Sequence, residues 1–272
     1  MKGFISHPRS TSSLAELWHS RHLIGQLVLR DLTVRYRQTL LGWVWALLNP
    51  LLQLMMYYAV FGVIVRFNPP EYQVTYAWVL LSGLVLWMLF ASTVNAVSEV
   101  LMNNLHLVKK IYFPRIALTL AGLGISMIDF LLALLWLCLL LPSFGIHFSV
   151  QYLPLLLLCG VQVALLGWGL GCLIALARLR FRDFRHIIPL IIQGLFYITP
   201  VVWTPGLLPS RWMKLAELNP MYGLIGLFRF ALLGGPVPAV STMIISAALS
   251  LFTALIGYWC FVHYEAQVTD RE

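Results

Sequence analysis

The sequence predicts an all-α, multi-pass membrane protein, and three observations carry that prediction. Of its 272 residues only 10% are charged and 60% are apolar, with a mean hydropathy of +0.85; a soluble domain of this length carries about 25% charge. The apolar residues gather into runs long enough for a bilayer core, which takes about 20 residues per helix. Lys and Arg fall mostly in alternate connections between those runs, the bias that sets orientation in membranes. The net charge of +8 is therefore a matter of topology and gives no reason to invoke nucleic acid.

The fold expected has six transmembrane helices, an N-terminal interfacial amphipathic helix, and a broken external re-entrant or gate segment before the last helix. The spans are read at about 43–65, 74–97, 116–142, 153–177, 187–203 and 240–262. The fifth is the shortest and is interrupted by proline. Lys2, Arg9, Arg21, Arg30, Arg35 and Arg37 precede the first span, and Lys109, Lys110 and Arg115 follow the second. Arg178, Arg180, Arg182 and Arg185 follow the fourth, and Arg271 lies in the tail. On the other side stand only Arg66, Arg211, Lys214 and Arg229. Both termini are expected in the cytoplasm. The division is 1–42 for the N-terminal region, 43–262 for the transmembrane domain and 263–272 for the tail. Charges interrupt residues 1–42 throughout, leaving no apolar run suited to a cleavable signal peptide.

Within 13–37, Ser13 to Glu16 form a capping box, which satisfies the first backbone donors of a helix. At 100° per residue, Leu14, Leu17, Trp18, Ile24, Val28, Leu29 and Leu32 gather on one side. Arg21 and Arg35 intrude on that sector, while Leu23, Leu27 and Val34 fall outside it. The pattern suits a helix lying on the membrane surface or one packed on a partner.

Residues 204–239 are too long for a turn and too broken to span. Two half-length helical patterns flank Asn219-Pro220 there, the length of re-entrant or interfacial pieces. Irregular backbone at membrane depth needs cover from protein or water, so the segment reads as a hairpin over a pathway or as a surface cap.

No catalytic constellation stands out. The sequence has no H-E-x-x-H, no G-x-S-x-G and no G-x-x-x-x-G-K-[ST] phosphate loop; ATP-driven work must come from another subunit. Cys138, Cys159, Cys172 and Cys260 lie in apolar runs without metal-ligand spacing. No catalytic or metal site is assigned. Asp129 is the one carboxylate well inside a span, which makes it either a proton relay or a neutral hydrogen-bond partner for a neighbouring helix. Tyr57, Tyr58, Trp87, Phe196 and Tyr197 lie deeper than belt aromatics. Their flat rings suit either sugar faces or core packing.

Four segments together resemble a known family: "RYRQTLLGWVWALLNP", "NNLHLVKKIYFPR", "FYITPVVWTPGLLP" and "LNPMYGLIGLFRFALLGG". In that order they are similar to signature segments of type-2 ABC transporter permeases, in the branch that exports polysaccharides such as O-antigen, teichoic acid and capsule. The resemblance implies a homodimer joined to two copies of an ATP-binding subunit, which would hold ATP and Mg; this chain itself would bind no cofactor. It implies a coupling segment at 98–114, with Asn103, Asn104, Lys109, Lys110, Phe113 and Arg115 as candidate contacts to that subunit. It implies a gate at 204–239, with Asn219, Pro220 and Arg229 as its candidates, and a channel lined by Tyr57, Tyr58, Trp87, Phe196 and Tyr197. The expected function is the membrane-spanning part of an ATP-driven exporter of lipid-linked polysaccharide in the bacterial cytoplasmic (inner) membrane. A type-2 permease for a drug or lipid, or a membrane transferase using Asp129, are the alternatives.

Overall fold

The computed structural model describes residues 21–37, 39, 42–104, 114–181 and 183–269. The capping box at 13–16 and residues 105–113 of the coupling segment at 98–114, including Lys109, Lys110 and Phe113, lie outside the described residues. What is described is helical, with no strand among it. In chain order the helices are α1 (Arg21–Arg37), α2 (Trp45–Tyr57), α3 (Tyr76–Asn103), α4 (Ile116–Leu140) and α5 (Leu153–Arg180). They continue with α6 (Phe184–Ile198), α7 (Ser210–Ala216), α8 (Pro220–Leu233) and α9 (Val240–Thr269).

Five helical stretches are long and apolar enough to cross a membrane: Trp45–Ile64, Tyr76–Asn103, Ile116–Phe144, Val150–Arg180 and Val240–Tyr264. They match five of the six expected spans. The fifth expected span, 187–203, is instead the 15-residue α6, which stops at Ile198. Pro200 is the reason. A residue before proline is pushed out of the helical region, and Thr199 sits at φ −81°, ψ 142°. Val201, Val202 and Trp203 keep the hydropathy high, but the backbone has already turned.

Glycine spacing on α5 makes it the central helix. Gly167 and Gly171 lie against Thr93 and Val97 of α3, while Gly169 lies against the backbone of Thr253 and Gly257 on α9. With three glycines in five positions facing two neighbours, α5 is sandwiched between α3 and α9. Small residues at such positions let helix backbones approach closely, which is how membrane helices associate without a hydrophobic drive. On α9 the buried positions Thr242, Ser246, Ser250, Ala254 and Phe261 recur every turn or two. The α8 helix tucks in against α3, α5 and α9. By contrast α2 and α6 are peripheral. Leu52, Met55, Met56 and Val60 are exposed along α2 and its extension, as are Ile187, Leu190 and Ile191 on α6.

Past Tyr57 the chain continues as a π-helical stretch, Tyr58–Ile64. Its end is capped by Arg66 in a left-handed conformation, φ 58°, while Val65 and Phe67 amides reach back to the carbonyls of Val60 and Phe61 at 2.9 and 2.8 Å. Glycine is the usual occupant of such a cap.

The stripe expected for α1 needs correction. The helix packs on α4, where Val28 meets Gly124. Leu27, placed outside the apolar sector, is 8% exposed, whereas Leu29, placed inside it, is 65% exposed. The groove on α4 decides which side is buried, and the periodicity of α1 alone does not contain that groove.

Candidate functional site

Among the described residues, buried polar and charged side chains gather in two regions of the bundle. Inward of the arginine-rich end, level with the middle of α3 and α4, the helices α1, α2, α3 and α4 enclose a cleft of about 260 Å³. Its polar lining is Arg35, Thr39, Asn49, Ser92, Ser126 and Asp129; Trp45, Pro50, Met88 and Phe130 are among its apolar walls. Asp129 lies near the middle of α4, about 20 Å along the axis from Ile116 at 1.5 Å per residue. The Arg35 guanidinium donates to its carboxylate at 2.6 Å. Asp129 thus has a basic partner that the sequence reading did not give it. The two are 94 positions apart, and the one available signal was Arg35 breaking the apolar sector of α1. Pro50 sits inside α2 without ending it, and its buried ring forms part of the cleft wall.

Nearby, Arg30 donates to the Asn104 side chain at 3.1 Å, and that side chain in turn donates to the Val100 carbonyl at 2.9 Å. Asn104 is therefore buried as the tie between α1 and the end of α3, while Asn103 is exposed. Arg115 immediately precedes α4. A second pair joins α3 to α5, where Arg178 donates to Glu99 at 2.8 Å. Arg178 is buried, and its Nε and Nη2 find no acceptor among the described residues. These pairs tie the end of α3 to α1 and to α5.

Four of the five expected channel aromatics come together. Tyr57 and Trp87 each pack on Phe196, with ring centroids 4.6 and 5.5 Å apart, and Tyr197 meets Phe196 at 5.2 Å. Trp87 and Phe196 are buried within the bundle, Tyr57 is half-buried and Tyr197 is exposed. Tyr58 instead stacks on Tyr76 at 6.2 Å.

At the opposite end, a fully buried guanidinium organises the 199–239 region. Arg229, 1% exposed, donates to the carbonyls of Val201 at 2.8 Å, Val79 at 3.2 Å and Trp203 at 3.5 Å. A buried cation needs such acceptors, since it has left water behind. Around it, Tyr76 donates to the Val202 carbonyl at 2.7 Å, and the Thr204 hydroxyl donates to the Glu71 carboxylate at 2.9 Å. The Gly206 amide donates to the same carboxylate. Asn219 caps α8 by accepting from the Met221 amide at 2.9 Å and donates to Thr199 at 3.0 Å, with Pro220 as the first helical residue. Tyr72, in the loop before α3, packs against Gly235, and burial pushes its phenol above the ordinary tyrosine range. The turn at 199–207 and the helix α8 are thereby fastened to the start of α3. Sequence reasoning listed Arg229, Asn219 and Pro220 but missed Glu71, Tyr76 and Thr204. A lone loop glutamate and two hydroxyls in apolar surroundings carry no motif.

A bundle of membrane-length helices with short broken helices beside them defines a multi-pass membrane protein. The comparison with known proteins narrows it. Residues 22–233 match the ABC-2 type transporter family, and the chain belongs to that family. Among similar proteins, the O-antigen export system permease protein RfbA of Myxococcus xanthus is 28% identical over 87% of this chain and 94% of its own length. RfbA of Klebsiella pneumoniae is 28% identical over 76% of this chain and 78% of its own. The polysialic acid transport protein KpsM of Escherichia coli is 22% identical over 86% and 90%. The all-helical fold with membrane-length helices is consistent with the membrane domain of a transporter of this family.

Proposed function

We propose that this protein is the permease subunit of an ATP-driven exporter that moves a lipid-linked polysaccharide across the bacterial cytoplasmic membrane. The observation that carries the reading is the similarity, extending over most of the chain, to permeases named for O-antigen export and polysialic acid transport. The arginine-rich end faces the cytoplasm, as the excess of Lys and Arg there favours, and both termini lie on that side. Two copies of the chain assemble with two copies of an ATP-binding subunit that holds ATP and Mg.

Energy enters through the connection after α3. Asn103, Asn104, Lys109, Lys110, Phe113 and Arg115 form the contact with the ATP-binding subunit, and the Arg30–Asn104 and Arg178–Glu99 ties pass its displacement into α1 and α5. Closing of the partner subunits on ATP then shifts the spanning helices and opens the path. Tyr57, Tyr58 and Tyr197, which keep exposed surface, present rings to the sugar, while Phe196, with Trp87 against it, backs Tyr57 and Tyr197 and Tyr76 backs Tyr58. At the outer end the segment carrying Asn219, Pro220 and Arg229 serves as the gate.

The test is substrate-stimulated ATP hydrolysis. The permease co-reconstituted with its ATP-binding subunit should hydrolyse ATP several-fold faster with lipid-linked polysaccharide. Stimulation by small amphiphilic drugs alone would sink the polysaccharide assignment.

A further inference from the structure

We infer that the cleft between α1, α2, α3 and α4 is a binding subsite for one uncharged sugar ring of an amphiphilic glycan. Three properties of the cleft point to a neutral, hydroxyl-rich occupant. Among the described residues its one cation and its one carboxylate, Arg35 and Asp129, are bonded to each other at 2.6 Å. The lining therefore offers both signs of hydrogen-bonding partner with no net charge. An anionic headgroup reaching Arg35 would meet the Asp129 carboxylate as well, and like charges this close repel strongly.

The uncharged polar lining is of the same kind. Asn49 supplies a donor and an acceptor on an exposed side chain. Ser92 and Ser126 donate to the carbonyls of Leu89 and Gly122 at 3.1 and 3.3 Å, which leaves their oxygens able to accept from incoming hydroxyls. Trp45 adds an accessible indole to the wall, the flat apolar surface on which the C–H face of a sugar rests.

Size and position agree. A volume of about 260 Å³ falls just short of the roughly 300–1,000 Å³ typical of drug-sized ligand sites, the scale of a single ring rather than an oligomer. The cleft lies where α1 meets the first spanning helix, level with the middle of α3 and α4, so an occupant held by a lipid tail stands beside exposed apolar residues of α2 such as Leu52, Met55 and Met56. The source of the ring rests on the polysaccharide-export reading above; the chemistry of the lining does not.

The experiment uses the purified full-length chain in lipid nanodiscs, without nucleotide or partner. It titrates decyl glucoside and decyl phosphate, both below their micellar concentrations, and reads binding calorimetrically. Saturable binding of the glucoside is expected, at least tenfold tighter than the phosphate. Ala46→Trp, which fills the cleft from the half-buried wall of α2, should weaken it at least tenfold, as should Asp129→Leu. Ser92→Ile fills the same space from α3 and serves if either of those variants fails to fold. Preference for the phosphate, absence of saturable glucoside binding, or binding indifferent to filling the cleft would each overturn the assignment. Loss of glucoside binding with intact ATPase stimulation by polysaccharide would remove this subsite alone. Intact glucoside binding without such stimulation would instead remove the export reading.

Discussion

A guanidinium buried in an apolar bundle has to be solvated by something, and for Arg229 that solvent is backbone carbonyls. Gly83 shows how tightly the arrangement is fitted: a Cβ there would come within 2.9 Å of Arg229 Nη2 and 3.0 Å of the Val201 carbonyl. Arg229→Met removes the donor that the buried Val201 carbonyl accepts from at 2.8 Å, and an acceptor left unpaired there costs about 1–3 kcal/mol. That variant should melt well below the parent, by an amount set by about 3 kcal/mol of lost stability. Gly83→Val should lower the melting temperature in the same direction by pushing the guanidinium off its carbonyls. Unchanged thermal denaturation in both would show that Arg229 does not fasten the 199–233 region. The sequence marks Arg229 as an odd charge in an apolar setting, but not its partners, because carbonyls are present at every position and only the folded backbone selects three of them. The Arg35–Asp129 pair was similarly half-legible. Each residue is conspicuous alone, an acid inside a span and a base inside an apolar stripe, and nothing local joins them.

At the scale of elements, long helices were readable and short ones were not. The hydropathy of α3, α4, α5 and α9 fixes them because a bilayer core demands an uninterrupted run. For α6 the same measure overruns, since hydropathy does not register that Thr199-Pro200 has already turned the chain. Helix pairing was also out of reach of periodicity, being decided by where glycines let backbones meet. Gly169 and Gly257 place α5 and α9 backbone against backbone. Gly169→Leu therefore forces the two helices apart, and no rotamer relieves the clash, because the obstructing atoms are main chain. The expected outcome is normal insertion but loss of the compact bundle, seen as protease sensitivity of the α5–α9 pair in membranes. A protease-resistant Gly169→Leu protein would show that α5 and α9 do not depend on this contact.

For the whole molecule, the two ends divide the work. The arginine-rich end carries the polar ties around the connection after α3, and the opposite end carries the Glu71–Tyr76–Arg229 network that closes over the bundle. Between them lie helices whose outer faces, on α2 and α6 above all, are apolar and exposed, as lipid or a second copy of the chain requires. The class of protein was legible from composition and charge placement alone. The branch of the family was legible from four segments, whereas the cleft and the outer network emerged only once four or five elements were assembled around them. The central claim, that ATP hydrolysis elsewhere drives a glycan through this chain, is tested most directly in inside-out membrane vesicles containing the permease and its ATP-binding subunit. Lipid-linked polysaccharide added outside should reach the lumen only with ATP. Replacing residues 103–110 by a Gly/Ser linker should abolish that transfer while leaving insertion intact. Transfer at the parental rate with the linker in place, or without ATP, would contradict the account.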